Sequence, residues 1–365
     1  MPVTLEEIAR LANTSSSTVS RVLANRPGVA QATRDRIRAL ATKLGYRPDF
    51  HARSLVTRRT RTVGLVTSYL AGGWYAQVLR SLSRHLTPLG YHVLVADSGL
   101  DIEEEKRNIE AMQSHRVEAL FVCPVGDWNT GLSCNHLLEL KFHGFSPVIL
   151  GNPPNCGGLD CVYTDDVESS SALTRYLLAL GHRRFGVLGH SPEIRGSRER
   201  LQGIGEAILA AGAPPGPRGL PEPPALRICP TDIHHYDPPS MRQTVLGWLK
   251  EPNPPTALIA IGNLYALDLY GPLHDWGYQI PEDISVAAFE DDFWCPRIRP
   301  SLTVVYKNED EVARRAIEVW KRRVKHPEAP PILVTAPQHF VARDSTGPCP
   351  GAKSPAADYA AKGVI

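Results

Sequence analysis

The chain has 365 residues, 42% hydrophobic and 21% charged, which fits a globular protein of two or three domains and argues against a disordered or fibrous chain. No run approaches the roughly 18 apolar residues of a membrane span, and MPVTLEEIAR has neither the apolar core nor the cleavage site of a secretory signal, so the cytoplasm is the expected compartment and no membrane partner is expected. The net charge of +2 is unevenly spread: residues 1–62 carry 12 Lys/Arg against 4 Asp/Glu, a net of +8, whereas residues 63–365 carry 28 against 34, a net of −6. A small basic head on a mildly acidic body suggests a polyanionic partner for the head alone.

In chain order, Thr4-Leu-Glu-Glu7 reads as a capping box opening a helix. Leu5, Ile8, Ala9 and Ala12 follow at the spacing of one apolar helix face. After a break at Asn13-Thr14, Ser15 is placed to cap a second helix whose inward face is Val19, Val22 and Leu23, ending near Asn25 before Pro27-Gly28. A third helix carries Ile37, Leu40, Ala41 and Leu44 and stops at Gly45. Three short helices with a tight first connection describe a helix-turn-helix. Ser16 and Ser17 then occupy the exposed leading turn of the second helix, the turn that faces base edges in this motif. Arg21, one turn on, has the fork that suits guanine O6 and N7. At the start of the third helix, Val29-Ala30-Gln31 lacks a capping side chain, a loss worth about 1 kcal/mol.

From Val63 apolar strand-like runs (VGLV, YHVLVA, EALFVC, PVIL, FGVLG, TALIAI, ISVAAF) alternate with helical segments such as 75–88, 102–114, 166–180 and 199–211. Such alternation means an α/β body with parallel sheets, and its length calls for two subdomains. The proline clusters PPGPRGLPEPP and EPNPPT read as surface loops. The seven cysteines (Cys123, Cys134, Cys156, Cys161, Cys229, Cys295, Cys349) form no C-x-x-C pair, so buried free thiols are expected. His234-His235 has no cysteine nearby and reads as a loop, so no metal or cofactor is expected.

The segments TVSRVL, ATRDRI, LGYRP and ARSL followed by RTRTVGLV resemble, in order and spacing, the amino-terminal region of the lactose/galactose repressor (LacI/GalR) family, and the resemblance continues to about residue 346. It implies a DNA-binding head over 1–47, a hinge helix and linker over 48–62, and a two-lobed periplasmic-binding-protein-like body over 63–346 with three crossovers; beyond it the tail over 347–365, GPCPGAKSPAADYAAKGVI, is poor in large apolar residues and is expected to be disordered. Leu55 matches the hinge leucine that wedges into the minor groove. The expected DNA-contacting set is Thr4, Ser15, Ser16, Ser17, Arg21, Asn25, Tyr46 and Leu55.

In the cleft the resemblance implies an effector site. Trp74-Tyr75 match an aromatic pair, although Gly72-Gly73 stand where the family often has Asn-Pro. Arg200, in SRERLQGI, matches an arginine that holds an effector hydroxyl or carboxylate, and Tyr236 falls where a ring-stacking aromatic is placed. Gly262-Asn263 replaces Asn-Asp, and Ala288-Phe289-Glu290-Asp291 replaces Gly-Phe-Asp-Asp. A polar group left unpaired costs about 1–3 kcal/mol, so a sugar-like effector is expected to be bound otherwise than as a standard hexose in the standard way.

The expectation is a ligand-responsive repressor that acts as a homodimer or tetramer on double-stranded operator DNA, with a small sugar or related metabolite as effector. A solute-binding transport protein would show a secretory signal and no basic head. An enzyme is disfavoured, since no G-x-G-x-x-G follows an early strand and no nucleophile–base pair stands out.

Overall fold

A computed structural model describes residues 3–46, 59–70, 73–126, 134–142, 144–151, 157–216, 219–221, 225–231 and 237–350. The chain divides into two compact units, Met1–Arg61 and Thr62–Ile365.

The first unit is built from α1 (Leu5–Leu11), α2 (Ser16–Leu23) and α3 (Gln31–Lys43). Thr4 Oγ1 accepts from Glu7 N at 3.2 Å, and Ser15 Oγ accepts from Thr18 N at 3.2 Å. Each satisfies a backbone donor that a helix start leaves orphaned. Ala30, at the start of α3, offers no such bond. Ile8, Ala9, Ala12, Val19, Val22, Ile37 and Ala41 form a buried core, with Leu5, Leu23, Leu40, Leu44 and Tyr46 packed on its edge. The apolar spacing of each helix therefore converges on one small core.

The second unit holds two six-stranded sheets. The first comprises β1 (Thr62–Thr67), β2 (His92–Asp97), β3 (Ala119–Val122), β4 (Val148–Leu150), β5 (Asp160–Tyr163) and β11 (Leu333–Thr335), in the order β11-β5-β4-β3-β1-β2. The second comprises β6 (Phe185–His190), β7 (Leu226–Pro230), β8 (Ala257–Ala260), β9 (Ser285–Phe289), β10 (Thr303–Lys307) and β12 (Gln338–Val341), in the order β12-β10-β9-β8-β6-β7. All paired strands are parallel except β12, which runs antiparallel to β10. Helices cover both faces, so central strands such as β3 and β8 are buried throughout and read as continuous apolar runs.

In the first lobe these helices are α4 (Gly73–Leu86), α5 (Ile102–Ser114), α6 (Asn135–Phe142) and α11 (Glu309–Lys325). In the second they are α7 (Asp166–Ala179), α8 (Arg195–Ala210), α9 (Pro238–Leu249) and α10 (Asn263–Asp275). The chain passes between lobes from β5 to α7, from β10 to α11, and from β11 to β12. Helix α8 starts earlier than its apolar spacing suggests, because Ser197 Oγ accepts from Ser191 N at 2.9 Å and bonds His190 Nδ1 at 3.0 Å, fastening the first turn to the end of β6.

The expected tail boundary at residue 347 falls inside ordered structure. Gly347 N donates to Ser285 Oγ at 3.1 Å and Cys349 N to Leu180 O at 2.8 Å. Buried His182 bonds both Thr256 Oγ1 and Gly347 O, and burial pushes its pKa down to about 4. These bonds carry the body to at least Cys349. Cys123, Cys134, Cys161, Cys229 and Cys295 are buried free thiols, whereas Cys349 is half-buried.

Candidate functional sites: a helical face and an interlobe cleft

In the head, Thr4, Ser15, Ser17 and Arg21 are exposed and Ser16 is half-buried. Ser15 Oγ lies 2.9 Å from both Ser17 Oγ and Thr18 Oγ1, so the hydroxyl run forms a small network around the first turn of α2. That turn also carries the positive end of the helix dipole, which favours a phosphate. Asn25 has a left-handed φ of +55° and accepts from Arg38 Nη2 at 2.8 Å, so its side-chain oxygen is engaged within the head. Tyr46 packs against the head core. Leu55 and Tyr236, like Cys156 and His234-His235, lie outside the described residues.

In the body, Asp166 is the centre of the cleft. It opens α7, is 2% exposed, and lies 3.0 Å from Lys307 Nζ, 3.2 Å from Arg200 Nε and 3.1 Å from Gln338 Nε2. Each of Asp166, Lys307 and Gln338 flanks a different crossover, so one carboxylate ties together the three strands joining the lobes. Burial opposes its ionisation, but Lys307 and Arg200 outweigh that and hold its pKa down to about 2. Arg200 reaches it because α8 packs tightly on α7 at Gly203, where an added Cβ would lie 2.1 Å from Val167 O. The same guanidinium donates to Ile261 O at 2.5 Å and stands 4.4 Å from the Phe289 ring centroid.

Glu290 follows β9 with a φ of +76°, a conformation that costs a non-glycine residue about 1–3 kcal/mol and is retained mainly at functional sites. Its carboxylate is 3.8 Å from Arg200 Nη1. Burial and the neighbouring Asp292 and Asp166 raise its pKa, against Arg200 and Lys307. Asn263 Nδ2 donates to Glu290 O at 3.3 Å and to Asp292 Oδ2 at 3.0 Å. Asp292 in turn lies against the first residue of α4, where a Cβ on Gly73 would meet Asp292 Oδ1 at 2.3 Å. The glycine at this position thus lets a carboxylate of one lobe rest on a helix start of the other.

Trp74 and Tyr75 meet edge to face at 5.0 Å, Lys307 Nζ is 5.5 Å from the Trp74 ring, and Ser68 Oγ donates to Tyr75 Oη at 2.8 Å. The structure therefore brings Trp74, Tyr75, Arg200, Asn263 and Glu290 to one cleft. It adds Asp166, Asp292, Lys307, Glu309 and Gln338, for which the sequence carried no local signal, and Tyr265, whose ring lies against Gly189. A separate surface cavity of about 370 Å³ between α5 and α6, lined by Lys106, Ile109 and His136 among others, lies away from these residues.

Burial, then Glu290, Asp292 and Asp291, raise the Glu309 pKa from 4.5 to about 7. A carboxyl with a raised folded-state pKa favours folding below its unfolded value, and that advantage is lost as pH climbs through the folded one. Glu309→Gln is therefore expected to raise the body's melting temperature relative to wild type above about pH 7 and to leave it unchanged below about pH 4.5. A difference between the two proteins that is the same at both pH values would exclude the assignment.

Residues 4–49 match the family described as "Bacterial regulatory proteins, lacI family". Residues 60–232 match "Periplasmic binding proteins and sugar binding domain of LacI family", and residues 174–346 match "Periplasmic binding protein-like domain". The chain is 26% identical over 348 residues to the HTH-type transcriptional repressor PurR of Vibrio vulnificus (strain CMCP6), covering 94% of this chain and 98% of that one. It is 25% identical over 324 residues to the ribose operon repressor of Escherichia coli (strain K12), covering 89% and 94%. The Lac repressor dimer bound to operator and the anti-inducer ONPF shares the fold, with a TM-score of 0.79 at 21% identity over 95% of this chain and 100% of that one.

Proposed function

The chain belongs to the LacI/GalR family of bacterial transcriptional regulators, a family of regulators and not of enzymes, and from that premise we propose that it represses transcription by binding a palindromic operator as a homodimer, with a sugar or related metabolite in the interlobe cleft adjusting its affinity. The observation that carries this reading is the joining, in one chain, of a basic segment over residues 1–62, net charge +8 and containing the helix-turn-helix, to a two-lobed body whose three crossovers meet at a charged cleft. The head supplies base and phosphate contacts through Thr4, Ser15, Ser16, Ser17 and Arg21, and Leu55 supplies the minor-groove wedge. Trp74, Tyr75, Arg200, Asn263 and Glu290 line the effector side. Regulation requires that the effector bind the operator-competent and incompetent arrangements with different affinity. The protein acts in the cytoplasm, where its DNA lies.

Selection from randomised duplexes, with and without candidate metabolites, tests the reading. The expected product is a palindrome whose half-sites lie about one helical turn apart, with an affinity that a metabolite changes. No sequence preference under any condition overturns it. Within the selected site, Arg21→Ala is expected to cost about 1–3 kcal/mol and to relax discrimination at one base pair. Unaltered discrimination would remove Arg21 from the base-reading set.

A further inference from the structure

The charge balance of the cleft restricts what it can hold. Asp166 engages both nearby cations, Lys307 at 3.0 Å and Arg200 at 3.2 Å. Asp291 is spent on Arg343 at 2.9 and 2.6 Å, and Glu199 on Arg195 at 2.9 Å. What remains is an excess of acceptors. Glu290 comes no nearer to a cation than 3.8 Å, Asp292 holds Asn263 Nδ2, and no ion pair reaches Glu309 among the described residues. Burial raises the pKa of both Glu290 and Glu309, helped at Glu290 by Asp292 and Asp166 against Arg200 and Lys307, and at Glu309 by Glu290, Asp292 and Asp291, as expected where carboxylates outnumber cations.

A second observation points the same way. Gln338 is 4% exposed and its Nε2 is committed to Asp166, which leaves its buried Oε1 without a partner among the described residues. The Thr164 hydroxyl, at the same crossover as Asp166, is also buried and unpartnered among them, and so is Trp74 Nε1. Buried polar atoms are nearly always paired. Gln338 Oε1 calls for a donor from a ligand, and Trp74 Nε1 for an acceptor.

Resting on the reading of the cleft as the effector site, we propose that its ligand is a polyhydroxyl compound bearing a protonated amine, of the amino-sugar class, with the ammonium group set between Glu290 and Glu309. An ammonium group brings three donors and one positive charge. It satisfies Gln338-type acceptors as a hydroxyl does and, unlike a hydroxyl, offsets the uncompensated carboxylates. Hydroxyl or ring oxygens of the same ligand accept from Trp74 Nε1. Among the described residues no three His, Cys, Asp or Glu side chains are grouped to hold a metal ion, so an organic cation fits the arrangement better than a metal ion.

The test uses the full chain and triplets of ligands that differ at one substituent: D-glucose, D-glucosamine and N-acetyl-D-glucosamine, with the matching galactose and mannose series. Binding is read by melting-temperature shift and calorimetry near neutral pH, and operator affinity is measured alongside. In at least one series the free amine is expected to bind about tenfold or more tighter than its hydroxyl and N-acetyl counterparts, the scale of one charge-assisted hydrogen bond. Glu290→Gln and Glu309→Gln each keep side-chain shape, and each is expected to erase that preference. Neutral sugars that bind as well as their amines overturn the proposal, as do a preference that survives both substitutions and an equal response to Mg²⁺ or Ca²⁺ alone. If neutral sugars bind and alter operator affinity while the amines do not, the amine proposal falls and the effector reading stands. If no compound shifts melting or operator affinity, both fall. The wild-type triplets decide the matter even if a variant fails to fold.

Discussion

Asp166→Ala is expected to lower the unfolding free energy of the body by about 3–5 kcal/mol, the range seen when one partner of a buried ion pair is removed. The magnitude follows from what is left behind. Arg200 and Lys307 have side chains only 8% and 12% exposed, so neither can recover its lost partner in water. Gln338 Nε2 loses its acceptor, adding the cost of an unpaired buried donor. The loss extends beyond local packing, because the carboxylate joins residues flanking all three crossovers. With a folded-state pKa near 2 against an ordinary 3.8, the contribution is present at every pH above about 4 and declines as pH falls from there through about 2. Urea unfolding of wild type and variant at neutral pH measures it. A loss below about 1 kcal/mol, the worth of a surface ion pair, would show that the three crossovers are held by their backbones and not by this cluster.

Removing residues 1–61 is expected to abolish sequence-specific DNA binding and to leave the body folded. Specific recognition exceeds non-specific binding by about 4–10 kcal/mol in proteins that read DNA, and all of that margin is assigned to the head. Among the described residues each unit has a core of its own: the head cluster draws on Ile8 through Ala41, and every body cluster begins at Val63 or later. The net −6 of residues 63–365 repels duplex DNA, so the truncated protein is expected to lose electrostatic affinity together with specificity. Electrophoretic mobility shift on the selected operator, with circular dichroism of the truncated chain, reads both outcomes. Retained operator preference in the fragment would place recognition in the body and refute the assignment of the head.

The head could be read residue by residue from its sequence. Thr4 and Ser15 cap helices three residues before the backbone groups they bond, and Ile8, Val19, Val22 and Ile37 repeat at helical spacing, so burial there is a short-range matter that periodicity reports directly. The strand–helix alternation of the body was legible for the same reason. Strands such as β5, β7 and β12 have no such signature, because DCVY, LRICP and QHFV carry polar residues that only their neighbours render acceptable. Asp160, for instance, is 1% exposed and held by Arg323 from α11 at 2.8 and 2.7 Å.

The cleft divides along the same line. Arg200, Asn263 and Glu290 stand out by their match to the family's motifs, and Glu290 lies 3.8 Å from Arg200 while Asn263 Nδ2 donates to Glu290 O. Asp166, Lys307 and Gln338 have no local signature, since a lone aspartate at a helix start is first of all a cap and a lone lysine at a strand end is first of all a solvated charge. What makes them a site is their separation along the chain: they flank three different crossovers, and only the docking of one lobe on the other brings those crossovers side by side. Spacing between near neighbours reports which residues are buried, and the convergence of distant segments settles which charges must share that burial.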